Sequence, residues 1–144
     1  MSGIFVGVDG SEHSRLALGW ALREAARHGM PVTVISVHPS PVRPATDIYW
    51  AVPDLPPDPR NEEVELNTLR QFVEKTATEI GETVPGISYV VETGDPAEKL
   101  IEASRDADLL VVGSRGIGGF ARLLLGSVSS KVVHHAACPV VVIR

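Results

Sequence analysis

The sequence holds a single cysteine, Cys138, so no disulfide can close within the chain, which accords with a reducing compartment. No apolar run comes near the roughly 18 residues that a membrane-crossing helix needs. Met1-Ser2-Gly3-Ile4 carries no basic stretch followed by an apolar secretory segment, and with the lone cysteine this leads us to expect a cytoplasmic protein. Clustered lysines and arginines are missing too, and the formal net charge is −5. Non-specific binding to nucleic acid rests on such clusters, so neither nucleic acid nor a membrane is expected as a partner.

What is there is 144 residues with an ordinary apolar share of 44%, enough for a real core and read here as one domain over 1–144. Residues 4–9 form a short, nearly all-apolar strand that Gly10-Ser11 breaks, and Ser11 is placed to cap a helix over 12–28 that Gly29 stops. Residues 32–37 read as a second strand. A helix is expected over 61–83, because Leu66, Leu69, Val73, Ala77 and Ile80 recur at spacings of three and four. Its charge-rich face is solvated and is assigned no chemistry. A third strand follows over 87–92, then a helix entered through Asp95 as N-cap with Pro96 and Glu98 behind it. Strands over 109–112 and 139–143 enclose a last helix over 127–137.

Between the second strand and the second helix the pattern fails. Seven of the eleven prolines lie between Pro39 and Pro59, a density that excludes a regular helix or a central strand. An extended surface loop over about 39–60 is expected, with Ile48, Tyr49 and Trp50 as its apolar anchor, and it is a candidate contact for an unidentified protein partner. Near-continuous apolar strands alternating with helices specify an α/β fold: a doubly wound, five-stranded parallel sheet with helices on both faces. Ligands bind such sheets beyond the carboxyl ends of the strands. Asp9-Gly10-Ser11, Val37-His38 and the loop that opens at Gly113 should meet there.

That loop organises the chain. An apolar run stops at Gly113, Ser114-Arg115-Gly116 follow, and after nine further residues Gly126 hands over to Ser127-Val128-Ser129 at a helix start. A strand, a glycine loop and a helix N-terminus together bind anions through backbone N–H groups. Gly113 and Gly118 have the spacing of an NTPase P-loop, but Gly119-Phe120 stands where Lys and Ser or Thr belong, so that motif is rejected. Gly116, Gly118 and Ala121 match a dinucleotide fingerprint, yet too little chain follows for the strand carrying the ribose-binding acid.

The spacing Gly113-x2-Gly116-x9-Gly126-Ser127 resembles that of the universal stress protein family, in its ATP-binding subclass. The resemblance extends over essentially the whole chain, through Val6-Gly7-Val8-Asp9-Gly10-Ser11, Asp95-Pro96-Ala97 and the closing His135-Ala136-Ala137-Cys138-Pro139-Val140-Val141-Val142. It implies a fold like that of the adenine-nucleotide alpha hydrolases and one nucleotide per domain, ATP in the first place, with Mg²⁺ carried in by the phosphates and ADP, AMP or cyclic AMP as other candidates. Asp9 would face the ribose or adenine end, Gly7 and Gly10 would keep that strand end uncrowded, and Val37 would meet the adenine. Gly113, Ser114, Arg115 and Gly116 would line ribose and phosphates, with Gly118 and Gly119 keeping the loop pliable. Gly126, Ser127, Val128 and Ser129 would hold phosphate. Arg115 is the first phosphate-pairing side chain and Arg122 the second. Family members are generally dimers or tandem domains, which implies a homodimer or tandem pairing through the last strand.

Three functions follow from this. The first is a stress or energy-state sensor that binds ATP without a dedicated catalytic step, since no catalytic lysine or Mg²⁺-binding acid pair is evident. The second is a slow ATPase or nucleotide-transforming enzyme using Asp9. The third is an interaction scaffold in which the nucleotide is structural. No residue is assigned to catalysis and none to a resident metal: His134, His135 and Cys138 read as a helix end packed on the last strand, and Asp9, Ser11 and His13 lack a nucleophile elbow. Alanine at Gly113 or Gly116 is expected to abolish nucleotide binding and leave the fold largely intact.

Overall fold

A computed structural model describes residues 3–38, 59–115 and 125–144. Ile48, Tyr49, Trp50, Gly116, Gly118, Gly119 and Arg122 lie outside the described residues. The elements run β1 (Ile4–Val8), α1 (Glu12–His28), β2 (Val32–His38), α2 (Pro59–Ile80), β3 (Ile87–Thr93), α3 (Pro96–Ala103), β4 (Leu109–Gly113), α4 (Ser127–His135) and β5 (Val140–Ile143). All four strand pairings are parallel, in the order β3-β2-β1-β4-β5. This is the expected doubly wound sheet, with its reversal of strand order between β1 and β4.

Strand residues alternate between two apolar layers, which is why the strands read as continuous apolar runs. Ile4, Val6 and Val8 of β1, Val32 and Val34 of β2 and Val111 of β4 pack with Leu18, Leu22 and Ala25 of α1 and Leu69 and Val73 of α2. Ile35, Leu110 and Val112 point the other way, onto Leu100 of α3 and Val132 of α4. Leu16 stays 40% exposed, because the buried face of α1 runs through Ser14, Ala17, Leu18, Ala21, Leu22 and Ala25.

Local chemistry sets the helix ends. The Ser11 hydroxyl accepts the Ser14 N–H at 3.2 Å, and Gly29 closes α1 in the left-handed conformation. Asp95 caps α3 by accepting the Glu98 N–H at 3.0 Å, with Pro96 first in the helix. α2 begins two residues earlier than the periodicity predicts, at Pro59, since the first position of a helix tolerates a residue without an N–H. It also ends earlier, at Ile80: the Gly81 N–H closes back on the Ala77 carbonyl at 2.9 Å, a stop that the apolar spacing does not reveal. α4 ends at His135, two residues short of its expected length, where Ala136 turns to extended backbone.

Candidate nucleotide site

The ladder between β1 and β4 stops at Val6↔Val111. β1 continues beside β2 to Val8↔Ser36, and β4 continues beside β5 to Gly113↔Ile143. The two central strands therefore part at their carboxyl ends. Asp9-Gly10-Ser11 lies on one side of the parting and Gly113-Ser114-Arg115 on the other.

On the β1 side the groups largely build the turn itself. The Asp9 carboxylate accepts the Ser11 N–H at 2.9 Å, and Gly10 sits at φ +82°, where a side chain would be strained. Gly7 lies within β1, against α3: a Cβ there would meet both Leu100 methyl groups at 3.0 Å. Val37, near the end of β2, is half-buried against the layer that holds Leu110 and Val112. β2 runs on beside β3 to His38↔Thr93.

The β4 side is tied tightly to α4. The Ser114 N–H donates to the Ile143 carbonyl at 2.7 Å, while the Ser114 carbonyl accepts the Gly126 N–H at 2.6 Å. The Ser129 hydroxyl, 3% exposed, lies 3.1 Å from both the Ser114 and Gly126 carbonyls, so its one hydrogen is shared between them. A Cβ on Gly126 would lie 3.3 Å from the Ser114 carbonyl oxygen. Ser127 is exposed and Val128 half-buried, packed against the α3–α4 layer.

α4 differs from α1 and α3 in how it starts. Its N-cap is Gly126, and among the described residues no side chain caps it. The first-turn N–H groups of a helix have no partner inside the helix and carry its positive dipole end, so they are left for solvent or an anion. Close by, His13, Ser114, Arg115 and Arg144 line a cavity of about 180 Å³. Neither arginine forms an ion pair among the described residues. His13 Nδ1 is buried with no hydrogen-bond partner among them.

Gly113 bears on the fold as well as on the loop. A Cβ there would lie 2.9 Å from the carbonyl carbon and oxygen of His13 in the first turn of α1. Replacing it with alanine cannot leave the fold untouched, contrary to the expectation from the loop motif alone, because backbone atoms do not move aside as side-chain ends do.

Of the residues singled out in the sequence, the structure thus groups Gly113, Ser114, Arg115, Gly126, Ser127, Val128 and Ser129 around one turn, with Asp9 and Gly10 across the parted strands. Gly7 is drawn off into packing on α3. His13, weighed in the sequence only beside Asp9 and Ser11, and Arg144, not singled out there, line the same cavity. His13 joins the cavity because Gly113 lets α1 approach β4, and Arg144 because β5 pairs with β4; neither relation has a signal in the linear sequence.

His134 and His135 rings are 6.4 Å apart and tilted by 47°, with His134 Nδ1 2.8 Å from the Ser130 carbonyl. Burial pushes the Cys138 thiol up from its ordinary range. Among the described residues no group of three or more His, Cys, Asp or Glu side chains is placed to hold a metal ion, and no helix is long and apolar enough to cross a membrane.

The model of the universal stress protein family matches residues 1–144. The chain belongs to the universal stress protein family. A universal stress protein of Thermus aquaticus is 35% identical over 144 residues, covering 98% of this chain and 97% of that protein. A second, from Mycolicibacterium smegmatis, is 38% identical over 145 residues, covering 99% of this chain but 48% of its own length. The chain thus spans about half the length of several curated relatives that it matches. Among solved structures, the universal stress protein UspA from Lactobacillus plantarum aligns with a TM-score of 0.74 at 28% identity, covering 98% of this chain and 96% of that one. A universal stress protein in complex with cAMP aligns at 0.68 with 24% identity, covering 98% and 94%. One from Archaeoglobus fulgidus in complex with dAMP aligns at 0.59 with 24% identity, covering 99% and 97%. This universal stress protein domain shares their five-stranded α/β fold, and two of these relatives hold adenine nucleotides.

Proposed function

We propose that this domain binds an adenine nucleotide, ATP in the first place, at the parted ends of β1 and β4, and serves as a cytoplasmic stress or energy-state sensor without dedicated turnover. The observation that carries this reading is the start of α4, sewn to the Ser114–Arg115 turn, where among the described residues no side chain caps the helix and neither of the two nearby arginines has an ion pair. A helix N-terminus flanked by arginine suits phosphate in both charge and hydrogen bonding. The cAMP and dAMP complexes of relatives support an adenine nucleotide in this fold.

In this reading Ser127 and Val128 offer N–H groups to the phosphates, Gly126 holds them there through its own N–H on the Ser114 carbonyl, and Arg115 pairs with the phosphates. Ser129 acts through its grip on Ser114 and Gly126. Asp9 keeps the β1 turn in shape and presents its carboxylate toward the ribose. Mg²⁺ would arrive with the phosphates. The half-buried edge strand β5 would pair with a second copy, since an unpaired valine-rich edge invites strand addition; light scattering that returns a monomer at micromolar concentration would overturn the pairing.

Calorimetric titration with ATP, together with extraction of any co-purifying nucleotide, tests the reading. Micromolar or tighter binding is expected. No binding and no co-purified nucleotide would reject it. A slow ATPase would instead show turnover that Asp9→Asn abolishes while binding persists.

A further inference from the structure

We propose that a second cavity, between α3 and the outer half of the sheet, is a binding site for a short aliphatic diamine. It shares no lining residue with the cavity beside His13, and it stands independently of the nucleotide reading.

The floor comes first. The strand order leaves β3 at one margin of the sheet. On the layer that carries α3, Phe5 of β1 stands beside Thr33 of β2, and Ile35 of β2 beside Val90 of β3. These four residues floor a cavity of about 270 Å³ that Ala103 of α3 helps to wall. Phe5, Val90 and Ala103 are only half-buried, so apolar surface is left facing it. The volume suits a ligand of a few heavy atoms, since pockets for drug-sized molecules begin at roughly 300 Å³. The surroundings favour a small ligand over a protein. Among the described residues the exposed large hydrophobics, Leu16, Val64 and Val133, lie on α1, α2 and α4, and none lines this cavity. A protein partner would find no wider apolar patch here on which to centre an interface.

The rim decides the ligand's charge. It carries three carboxylates, Glu92, Glu102 and Asp106, and one ammonium, Lys99. Lys99 is matched with Glu92 at 3.7 Å. Glu102 and Asp106 have no ion pair among the described residues, and Arg105, between them in sequence, does not line the cavity. Two negative charges are therefore left over an apolar floor. An anion is repelled there, and a neutral hydrocarbon leaves both carboxylates without a partner. A cation with an apolar stem satisfies floor and rim together. The spacing sets the number of cationic groups. Glu102 lies near the end of α3 and Asp106 closes the single 3₁₀ turn that follows. Four residues apart, they stand about one turn from each other, on the order of 6 Å. Two ammonium groups joined by a short methylene chain span that distance, with the chain laid on Phe5 and Val90.

The test is calorimetric titration of the full chain with 1,4-diaminobutane. It uses the wild type, the rim variant Glu102→Gln with Asp106→Asn, and the control Glu62→Gln with Glu63→Gln. The control removes the same charge from exposed positions near the start of α2. Saturable binding at one site is expected in the wild type, weakened by about tenfold in the rim variant and unchanged in the control. Butylamine, with one charge, should bind the wild type about tenfold more weakly than the diamine. Amide NMR shifts on adding the diamine should centre on Phe5, Val90 and Ala103. No binding to the wild type, or equal weakening in both variants, would overturn the site. Equal affinity for butylamine and the diamine would overturn the pairing of two carboxylates with two ammonium groups. A lysine-rich peptide that shifts the same amides where the diamine shifts none would make the occupant a protein and overturn the proposal too.

Discussion

A methyl group on Gly113 would sit 2.9 Å from the carbonyl carbon and oxygen of His13. The end of β4 thus lies close against the backbone of the first turn of α1, where the sheet parts. Gly113→Ala must push α1 away or bend β4. The expected cost is on the order of 1–3 kcal/mol, typical of overpacking. Urea denaturation should show a lower midpoint with an unchanged slope. Wild-type stability together with lost nucleotide binding would mean instead that Gly113 serves the ligand alone.

Ser129→Ala should destabilise the domain and loosen the phosphate turn at once. The hydroxyl is buried between the Ser114 and Gly126 carbonyls, and its loss leaves Gly126 without that bond and Ser114 with only the Gly126 N–H. Both carbonyls keep a backbone partner, so a cost of about 0.5–1.5 kcal/mol is expected. Ser127→Ala, at an exposed position, should change stability by no more than about 0.5 kcal/mol. Parallel thermal melts of the two variants check this, and equal shifts would contradict the assignment.

Ser104 makes a similar bridge on the far side. Its hydroxyl is 1% exposed, donates to the Ile101 carbonyl at 2.6 Å and accepts the Ala137 N–H at 2.8 Å, joining the end of α3 to the residues after α4. Ser104→Ala strands a backbone N–H and should cost about 1–3 kcal/mol. Hydrogen exchange at Ala137 should quicken in the variant, and unchanged protection there would mean that the bridge carries no weight.

The sheet was legible because its strands are short apolar runs and its helices begin at Ser11 and Asp95, both strong caps. Alternation of Val111 with Leu110 and Val112 between two layers is the physical content of those runs. The glycine loop was legible as an anion motif because its glycines and serines fall at fixed spacing. What each glycine does was not. Gly113 meets a helix that begins about a hundred residues earlier in the chain, and Gly7 meets Leu100; such contacts exist only after the crossovers have been made. The approach of His13 and Arg144 to one cavity stayed hidden for the same reason. Gly81 as the stop of α2 was readable in principle, but the apolar spacing drew the helix past it.

Arg115 should separate nucleotides by phosphate number. It lines the cavity and takes no ion-pair partner among the described residues, so its removal strands no buried carboxylate there. Arg115→Ala should weaken ATP binding by about 1.5–3 kcal/mol, the range for hydrogen bonds to charged groups, and AMP binding less. Equal losses for the two nucleotides in competition titrations would contradict a phosphate contact.

Cys138 should be a slow thiol. Burial disfavours its thiolate and raises its pKa, opposed by the backbone N–H of Leu110 and reinforced by Asp108. Only the thiolate attacks an alkylating reagent, so labelling at neutral pH should lag behind that of a free cysteine and rise with pH over a range displaced upward. The sign for stability follows. A raised pKa means that the folded state binds its proton more tightly than the unfolded chain does, so this contribution is fully present below the unfolded value. It is lost as pH climbs through the folded one. Iodoacetamide rates measured across pH 7–10 in native and urea-unfolded protein check both points. A native thiol that labels as fast as the unfolded one at every pH would show that the Cys138 side chain is not shielded at the joint between α4 and β5.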